Sequence, residues 1–213
     1  MRPHDLLRLA SGALLRHEGS APAWVTPSLA RAPWVVVRRA RTSGDLIPVG
    51  MRGRTRAERL AALLAPDAVA GRVTPEDLAA ARGWRHTPRA RRVGHVVQVL
   101  DAVDELFASL GFAWGPTGSV GFELATGVAA ASASSDLDVV VRAPEPWPLE
   151  NAREIADYLN QLPTRVDVQL DAPAGAVVLA EYARGGRVLL RTPDGPRLVH
   201  DPWREAAPDL RSA

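Results

Sequence analysis

Two aspartates one residue apart, Asp136 and Asp138, lead into the valine run Val139-Val140-Val141. If that run is a strand, alternate side chains share a face, so both carboxylates point the same way while Leu137 enters the core. Paired anions at the start of a buried strand repel one another unless something positive sits between them. Mg²⁺ or Mn²⁺, which takes carboxylate oxygens together with substrate phosphates, is the economical answer. Asp167, within Arg165-Val166-Asp167-Val168-Gln169-Leu170, offers a third carboxylate from an adjacent strand. Two cations held by such a triad can activate an attacking hydroxyl and neutralise a leaving pyrophosphate.

Gly118-Ser119 supplies the complementary feature. A glycine lets backbone approach a phosphate, and the start of the next helix offers free N–H groups. Ser119 alone reads as a helix N-cap or as a phosphate contact. With Ser135, beside Asp136, Gly118 and Ser119 are the expected contacts to the phosphorylated substrate. An Asp-x-Asp pair can also be a solvated loop-to-strand junction in which aspartates cap turns. The Gly-Ser turn and the third aspartate favour metal binding over that reading.

Positioning these groups requires strands around residues 136–141 and 165–170 and a helix from Ser119 to Ala125. The rest of the pattern supports an α+β fold. Spacing predicts an amphipathic helix over His4 to His17. Trp34 to Val37 and Leu46 to Met51 read as a hairpin across Thr42 to Asp45. Thr55 with Glu58 reads as a capping box opening an alanine-leucine helix that ends near Pro66, and Thr74-Pro75-Glu76-Asp77 as the start of another helix. The arginines from Arg82 to Arg92 mark a boundary, dividing the chain into residues 1–84 and 85–213. A long helix follows, with Val93, Val96, Val97, Leu100, Val103, Phe107 and Leu110 on one face and Gly111 as its terminator. Phe112 to Gly115 is expected as a strand, Leu149 to Leu162 and Ala176 to Tyr182 as helices. Arg187 to Arg191 should pair with Arg197 to His200 across Pro193-Asp194-Gly195.

Composition removes several function classes. All 26 basic residues among the 213 are arginine, since the chain has no lysine. A P-loop, a Schiff-base enzyme and a protein kinase each need one. There is no cysteine, hence no thiolate nucleophile or thiolate metal site. The net charge of +2 gives little reason to expect a nucleic-acid partner. No apolar run approaches the ~18 residues of a transmembrane helix, and the first residues lack a signal-peptide pattern, so no membrane association and a cytoplasmic protein are expected. The five histidines lack ligand spacing and are expected to be exposed or ordinarily hydrogen-bonded.

The Gly-Ser helix start, the Asp-x-Asp strand and the later aspartate resemble the polymerase-β-like nucleotidyltransferase superfamily, over the second half of the chain. The stretch from Gly127 to Ser135 makes the Ser119 to Asp136 gap longer than that pattern has. A closer resemblance is to the phosphoribosyl-dephospho-CoA transferase family of malonate decarboxylase, also called its holo-acyl-carrier-protein synthases. It is carried by Trp114-Gly115-Pro116-Thr117-Gly118-Ser119-Val120-Gly121-Phe122-Glu123-Leu124, Ser135-Asp136-Leu137-Asp138, Asp167-Val168-Gln169 and the tail from Leu179-Ala180-Glu181-Tyr182 through Arg191-Thr192-Pro193-Asp194-Gly195-Pro196. Trp34-Val35-Val36-Val37-Arg38-Arg39 and Pro48-Val49-Gly50-Met51-Arg52-Gly53 carry it more loosely.

This resemblance implies a metal-dependent transferase. It would take triphosphoribosyl-dephospho-CoA, attach the phosphoribosyl-dephospho-CoA part to a serine of the malonate decarboxylase acyl-carrier subunit, and release pyrophosphate. Asp136, Asp138 and Asp167 would be its catalytic and metal-binding residues. Residues 85–213 would then be a nucleotidyltransferase-like domain, a mixed sheet flanked by helices, and residues 1–84 a small α+β domain for substrate or carrier-protein docking. Two other readings stay open on the residues: an ATP-dependent nucleotidyltransferase acting on a small molecule or protein, and an inactive nucleic-acid-binding module.

Overall fold

A computed structural model describes residues 1–53, 55, 57–86, 94–132 and 134–204. The alternation of large apolar residues with smaller or polar ones builds a first, wholly antiparallel sheet from β1 (Leu6–Leu9), β2 (Trp34–Val37), β3 (Ile47–Arg52), β4 (Arg59–Leu64) and β5 (Val69–Val73). Its spatial order is β4-β3-β2-β1-β5. Leu7, Val35, Val49, Ala62 and Leu64 are buried on one face, where α1 (Val25–Arg31) covers them through Val25 and Leu29. The β2–β3 hairpin is as expected, with Val36 opposite Gly50.

Two helices expected here are strands. Residues 6–9, expected in a helix over His4 to His17, form β1, hydrogen-bonded on both sides by β2 and β5. Four residues in an interior strand satisfy their backbone groups on both sides and bury Leu6, Leu7 and Leu9 together, which a lone amphipathic helix would not match. The alanine-leucine segment ending near Pro66 is β4, in unbroken register with β3 from Ile47–Leu64 to Arg52–Arg59. The local signal before it is partly real, since Glu58 accepts a hydrogen bond from the Thr55 N–H at 2.9 Å. It closes a turn rather than opening a helix, because pairing along six residues outweighs the helical preference of Ala and Leu.

The reading of Thr74 holds in full. Thr74 and Asp77 form a reciprocal capping box at α2 (Pro75–Ala81). This helix lies on the second unit: a Cβ at Gly115 would fall 1.9 Å from the Pro75 carbonyl oxygen, so glycine alone lets helix and strand touch. Ala79 and Trp84 also enter the second core. Arg82 and Arg85 are held by Asp104 and Asp101 at 2.7 Å. The other arginines of that segment, Arg89, Arg91 and Arg92, lie outside the described residues.

The second unit contains α3 (Gly94–Ser109), β6 (Trp114–Pro116), α4 (Gly118–Thr126), β7 (Leu137–Arg142), α5 (Leu149–Asn160), β8 (Val166–Ala172), β9 (Gly175–Val178), α6 (Leu179–Ala183), β10 (Val188–Thr192) and β11 (Gly195–Val199). The sheet order is β11-β10-β9-β8-β7-β6, and β7 and β8 are parallel while the other pairs are antiparallel. A parallel pair needs a crossover, here α5. The expected helix over Ala176 to Tyr182 is half strand, because Gly175 to Val178 turns back against β8 and only Leu179 onward is helical. Phe107, Leu100, Trp84, Leu137, Val139 and Leu170 fill the core. Trp114 and Trp147 are packed within it, and the Trp203 indole N–H donates to the Ala143 carbonyl at 2.8 Å. The fold is α+β, with a mixed second sheet flanked by helices. No described helix is long and apolar enough to cross a membrane.

Candidate active site

Parallel pairing of β7 with β8 places Asp138 directly opposite Asp167. Register partners on neighbouring strands project to the same face, so these two carboxylates stand side by side. Both line a cleft of about 1200 Å³ whose walls come from the two sheets. The antiparallel partner of β7 is β6, and the turn after it brings Thr117 and Gly118 onto the same strand. The Thr117 N–H donates to the Asp138 carbonyl at 2.8 Å. Gly118 adopts φ +59°, and a Cβ there would stand 1.9 Å from Asp138 Oδ2. Glycine is therefore required twice, for its conformation and for the absence of a side chain against the carboxylate.

Ser119 also lines the cleft, in the first turn of α4. It is not the N-cap, a position that Thr117 occupies without a side-chain capping bond, so its hydroxyl stands in the cleft without that duty. Asp136 lies one residue before β7. It is near enough for its charge to act on Asp138, yet it is not among the cleft-lining residues. Ser135 is likewise outside the lining. Its Oγ accepts from the Ser132 N–H at 2.9 Å and serves the turn before the strand.

Electrostatics single out Asp138. Burial raises its pKa above the ordinary carboxylate value, and the charges of Asp167 and Asp136 push it further, while Arg52 and Arg165 oppose them. Arg165 Nε donates to Asp167 Oδ1 at 2.9 Å. A half-buried carboxylate kept from easy ionisation by its acidic neighbours is the chemistry that a hard divalent cation resolves. Among the described residues no group of three or more acidic or histidine side chains is gathered to hold a metal. The expected three-carboxylate set is thus not gathered: Asp138 and Asp167 share the cleft, and Asp136 stands outside its lining.

Several cleft residues escaped the sequence reading. His4, expected to be exposed or ordinarily bonded, sits in the cleft at φ 75° with its Nε2 2.8 Å from Gln169 Nε2. Gln169 follows Asp167 by two positions and shares its face of β8. Burial, then the charges of Arg39, Arg142 and Arg191, lower the His4 pKa to about 4, with Asp171 acting the other way. Trp34, Arg38, Arg52 and Arg59 reach the cleft from the first sheet. Their only signal in the sequence is strand alternation, which assigns a face and says nothing of what that face meets.

An ionic network centred on the buried Arg142 joins the two walls. Arg142, at the end of β7, donates to Glu76 Oε1 at 2.6 Å and to Asp171 Oδ2 at 2.7 Å. Asp171 also binds Arg39 of the first unit, and Glu76 binds Arg2 at 3.1 Å. Burial alone would raise the pKa of Glu76, but the hydrogen bond and charge of Arg142 hold it below the ordinary value. The edge is closed further out, where Arg41 donates to Asp194 Oδ2 at 2.9 Å.

Comparison with known proteins matches both halves of this arrangement. Residues 2–75 match the phosphoribosyl-dephospho-CoA transferase MdcG N-terminal domain, and residues 85–202 its C-terminal domain. A phosphoribosyl-dephospho-CoA transferase of Pseudomonas putida is 44% identical over 203 residues, covering 95% of each chain. One from Azotobacter vinelandii is 42% identical over 207 residues, covering 97% of this chain and 96% of its own. The Pseudomonas aeruginosa protein of that name is 42% identical over 206 residues, 96% of this chain and 94% of its own. No solved structure matches the chain. With both domain models matched and full-length relatives at this identity, the chain belongs to the phosphoribosyl-dephospho-CoA transferase (MdcG) family.

Proposed function

We propose that this protein transfers the phosphoribosyl-dephospho-CoA group from triphosphoribosyl-dephospho-CoA to a serine of the malonate decarboxylase acyl-carrier subunit and releases pyrophosphate. The observation that carries this reading is the convergence of Gly118, Asp138 and Asp167 on one cleft between two sheets. It has the parts that phosphoryl-group chemistry needs: backbone close to an anion and carboxylates for a cation. The names of the relatives supply the transferred group.

Asp138 and Asp167, with Asp136 beside them, would hold Mg²⁺ or Mn²⁺. When bound, such a cation neutralises the phosphates and stabilises charge on the departing pyrophosphate. The chain's own residues do the rest. Gly118 admits the phosphate backbone beside Asp138, and Ser119 donates a hydroxyl hydrogen bond to it. Asp167, one oxygen held by Arg165, accepts the proton of the attacking serine. The serine oxygen forms a bond to the α-phosphorus, the α–β anhydride bond breaks, and the electron pair leaves with pyrophosphate.

The test is incubation with purified carrier subunit and triphosphoribosyl-dephospho-CoA, with and without Mg²⁺, reading pyrophosphate release and the mass of the carrier. A carrier that gains one phosphoribosyl-dephospho-CoA only when metal is present supports the reading. An unmodified carrier, with pyrophosphate released from ATP instead, would replace it with the ATP-dependent nucleotidyltransferase.

A further inference from the structure

The cleft side of the first sheet is an apolar floor with a charged rim. Leu6, Val36, Gly50 and Ala61 lie in register across β1, β2, β3 and β4 and all face the cleft. Two positions further along the same face, Arg52 and Arg59 are direct cross-strand partners. Both are exposed in the cleft, and neither has an ion pair or side-chain hydrogen bond among the described residues.

That arrangement needs a reason. Like charges directly opposite on paired strands destabilise the pair. Arg142 and Arg39, by contrast, are neutralised by Asp171, and Arg85 by Asp101. Arg52 lines the same cleft as Asp138, near enough for its charge to act on that carboxylate. An anion lying between Arg52, Arg59 and the Asp138 side would therefore meet two guanidinium groups on one flank. Two neighbouring planar forks match two linked phosphates, each fork taking a pair of oxygens.

We propose that Arg52 and Arg59 form a polyphosphate clamp that holds the β- and γ-phosphates of the donor against the first sheet, leaving the α-phosphorus beside Asp138. This rests on the triphosphate-donor reading above. The clamp gives the N-terminal unit a direct part in substrate binding. It also retains the leaving pyrophosphate until the cleft empties, so pyrophosphate competes with the donor.

The test is calorimetric titration of the full chain with inorganic tripolyphosphate, comparing wild type, Arg52→Gln, Arg59→Gln, the double variant and Arg204→Gln, which lies outside the cleft lining. Each clamp variant should lose about tenfold or more in affinity, as expected for removing a charge-assisted hydrogen bond. The double variant should lose more, Arg204→Gln nothing, and circular dichroism should be unchanged throughout. Undiminished tripolyphosphate binding by the double variant overturns the clamp. So does an equal loss in Arg204→Gln, or weakening confined to dephospho-CoA, which would place these arginines on the nucleoside end. A wild-type protein that binds tripolyphosphate through these arginines yet never modifies the carrier would leave the clamp standing and remove the transfer reading.

Discussion

Gly118 and Asp138 share a space that only one side chain can fill, for a Cβ on the glycine would lie 1.9 Å from the aspartate Oδ2. The turn after β6 and the strand β7 are thereby held in contact, and the carboxylate is aimed past the turn into the cleft. Gly118→Ala must either displace Asp138 or leave φ +59°. The left-handed conformation and the overlap together should cost about 2 kcal/mol or more of stability. Turnover should fall at least ~100-fold, since a small misplacement of reacting groups has that effect. Urea unfolding and single-turnover kinetics on the same preparation check both, and a fully active variant would show that Asp138 needs no such fit.

Removing the charge of Asp138 should stabilise the metal-free protein. Its folded pKa is raised, so the folded state keeps a proton that the unfolded chain releases near the ordinary value of 3.8. Across that interval the unfolded state binds fewer protons, and stability falls as pH rises. Asp138→Asn should therefore match wild type in acid and exceed it increasingly as pH climbs through the carboxylate range, while losing transfer activity. Thermal midpoints at a series of pH values with a chelator present would reveal it, and identical pH profiles would remove the repulsion argument.

Asp167→Asn should separate chemistry from binding. The amide keeps the shape but accepts no proton, so kcat should drop by about 10²–10⁴-fold, the usual worth of a positioned general base. Affinity for the donor should change far less. If affinity collapses while turnover at saturation survives, Asp167 is a binding residue.

Arg142 joins the two units. Arg142→Ala leaves the partly buried Glu76 and Asp171 with diminished compensation and should cost about 1–3 kcal/mol. The milder Glu76→Gln tests the same network through pH. The Glu76 pKa is depressed, so its contribution is present above the unfolded value and fades as pH falls through the folded one. Wild type and Glu76→Gln should differ most near neutrality and converge in acid. A constant difference at all pH values would assign the loss to packing.

His4 should report acid weakening of the same interface. Its folded pKa of about 4 lies below the ordinary 6.5, so the unfolded chain takes up a proton first as pH falls. Stability is complete above 6.5 and is lost progressively down to about 4. His4→Gln should flatten that part of the stability profile. Imidazole chemical shifts followed from pH 8 downward give the titration directly, and a midpoint near 6.5 would refute the buried assignment.

Much of this protein is written locally and could be read without coordinates. The valine runs of β2, β7 and β8, the Thr74–Asp77 capping box and the three-and-four spacing of α3 each specify a backbone state through neighbours a few residues away. The placement of Asp138 and Asp167 on strands and of Gly118 at a helix start was legible for the same reason, from residue type and strand phase. The segments at Leu6–Leu9 and Arg59–Leu64 were not. Their local preference is weak, and the decision came from partner strands that satisfy their backbone groups. What only the tertiary structure decided is the second wall of the cleft. Whether Arg52 faces Asp138, whether His4 meets Gln169 across 165 positions, and whether Asp136 joins or flanks the site depend on how one sheet is set against another. That setting rests on Arg142, Glu76, Asp171 and Arg39, whose pairing distances no periodicity encodes.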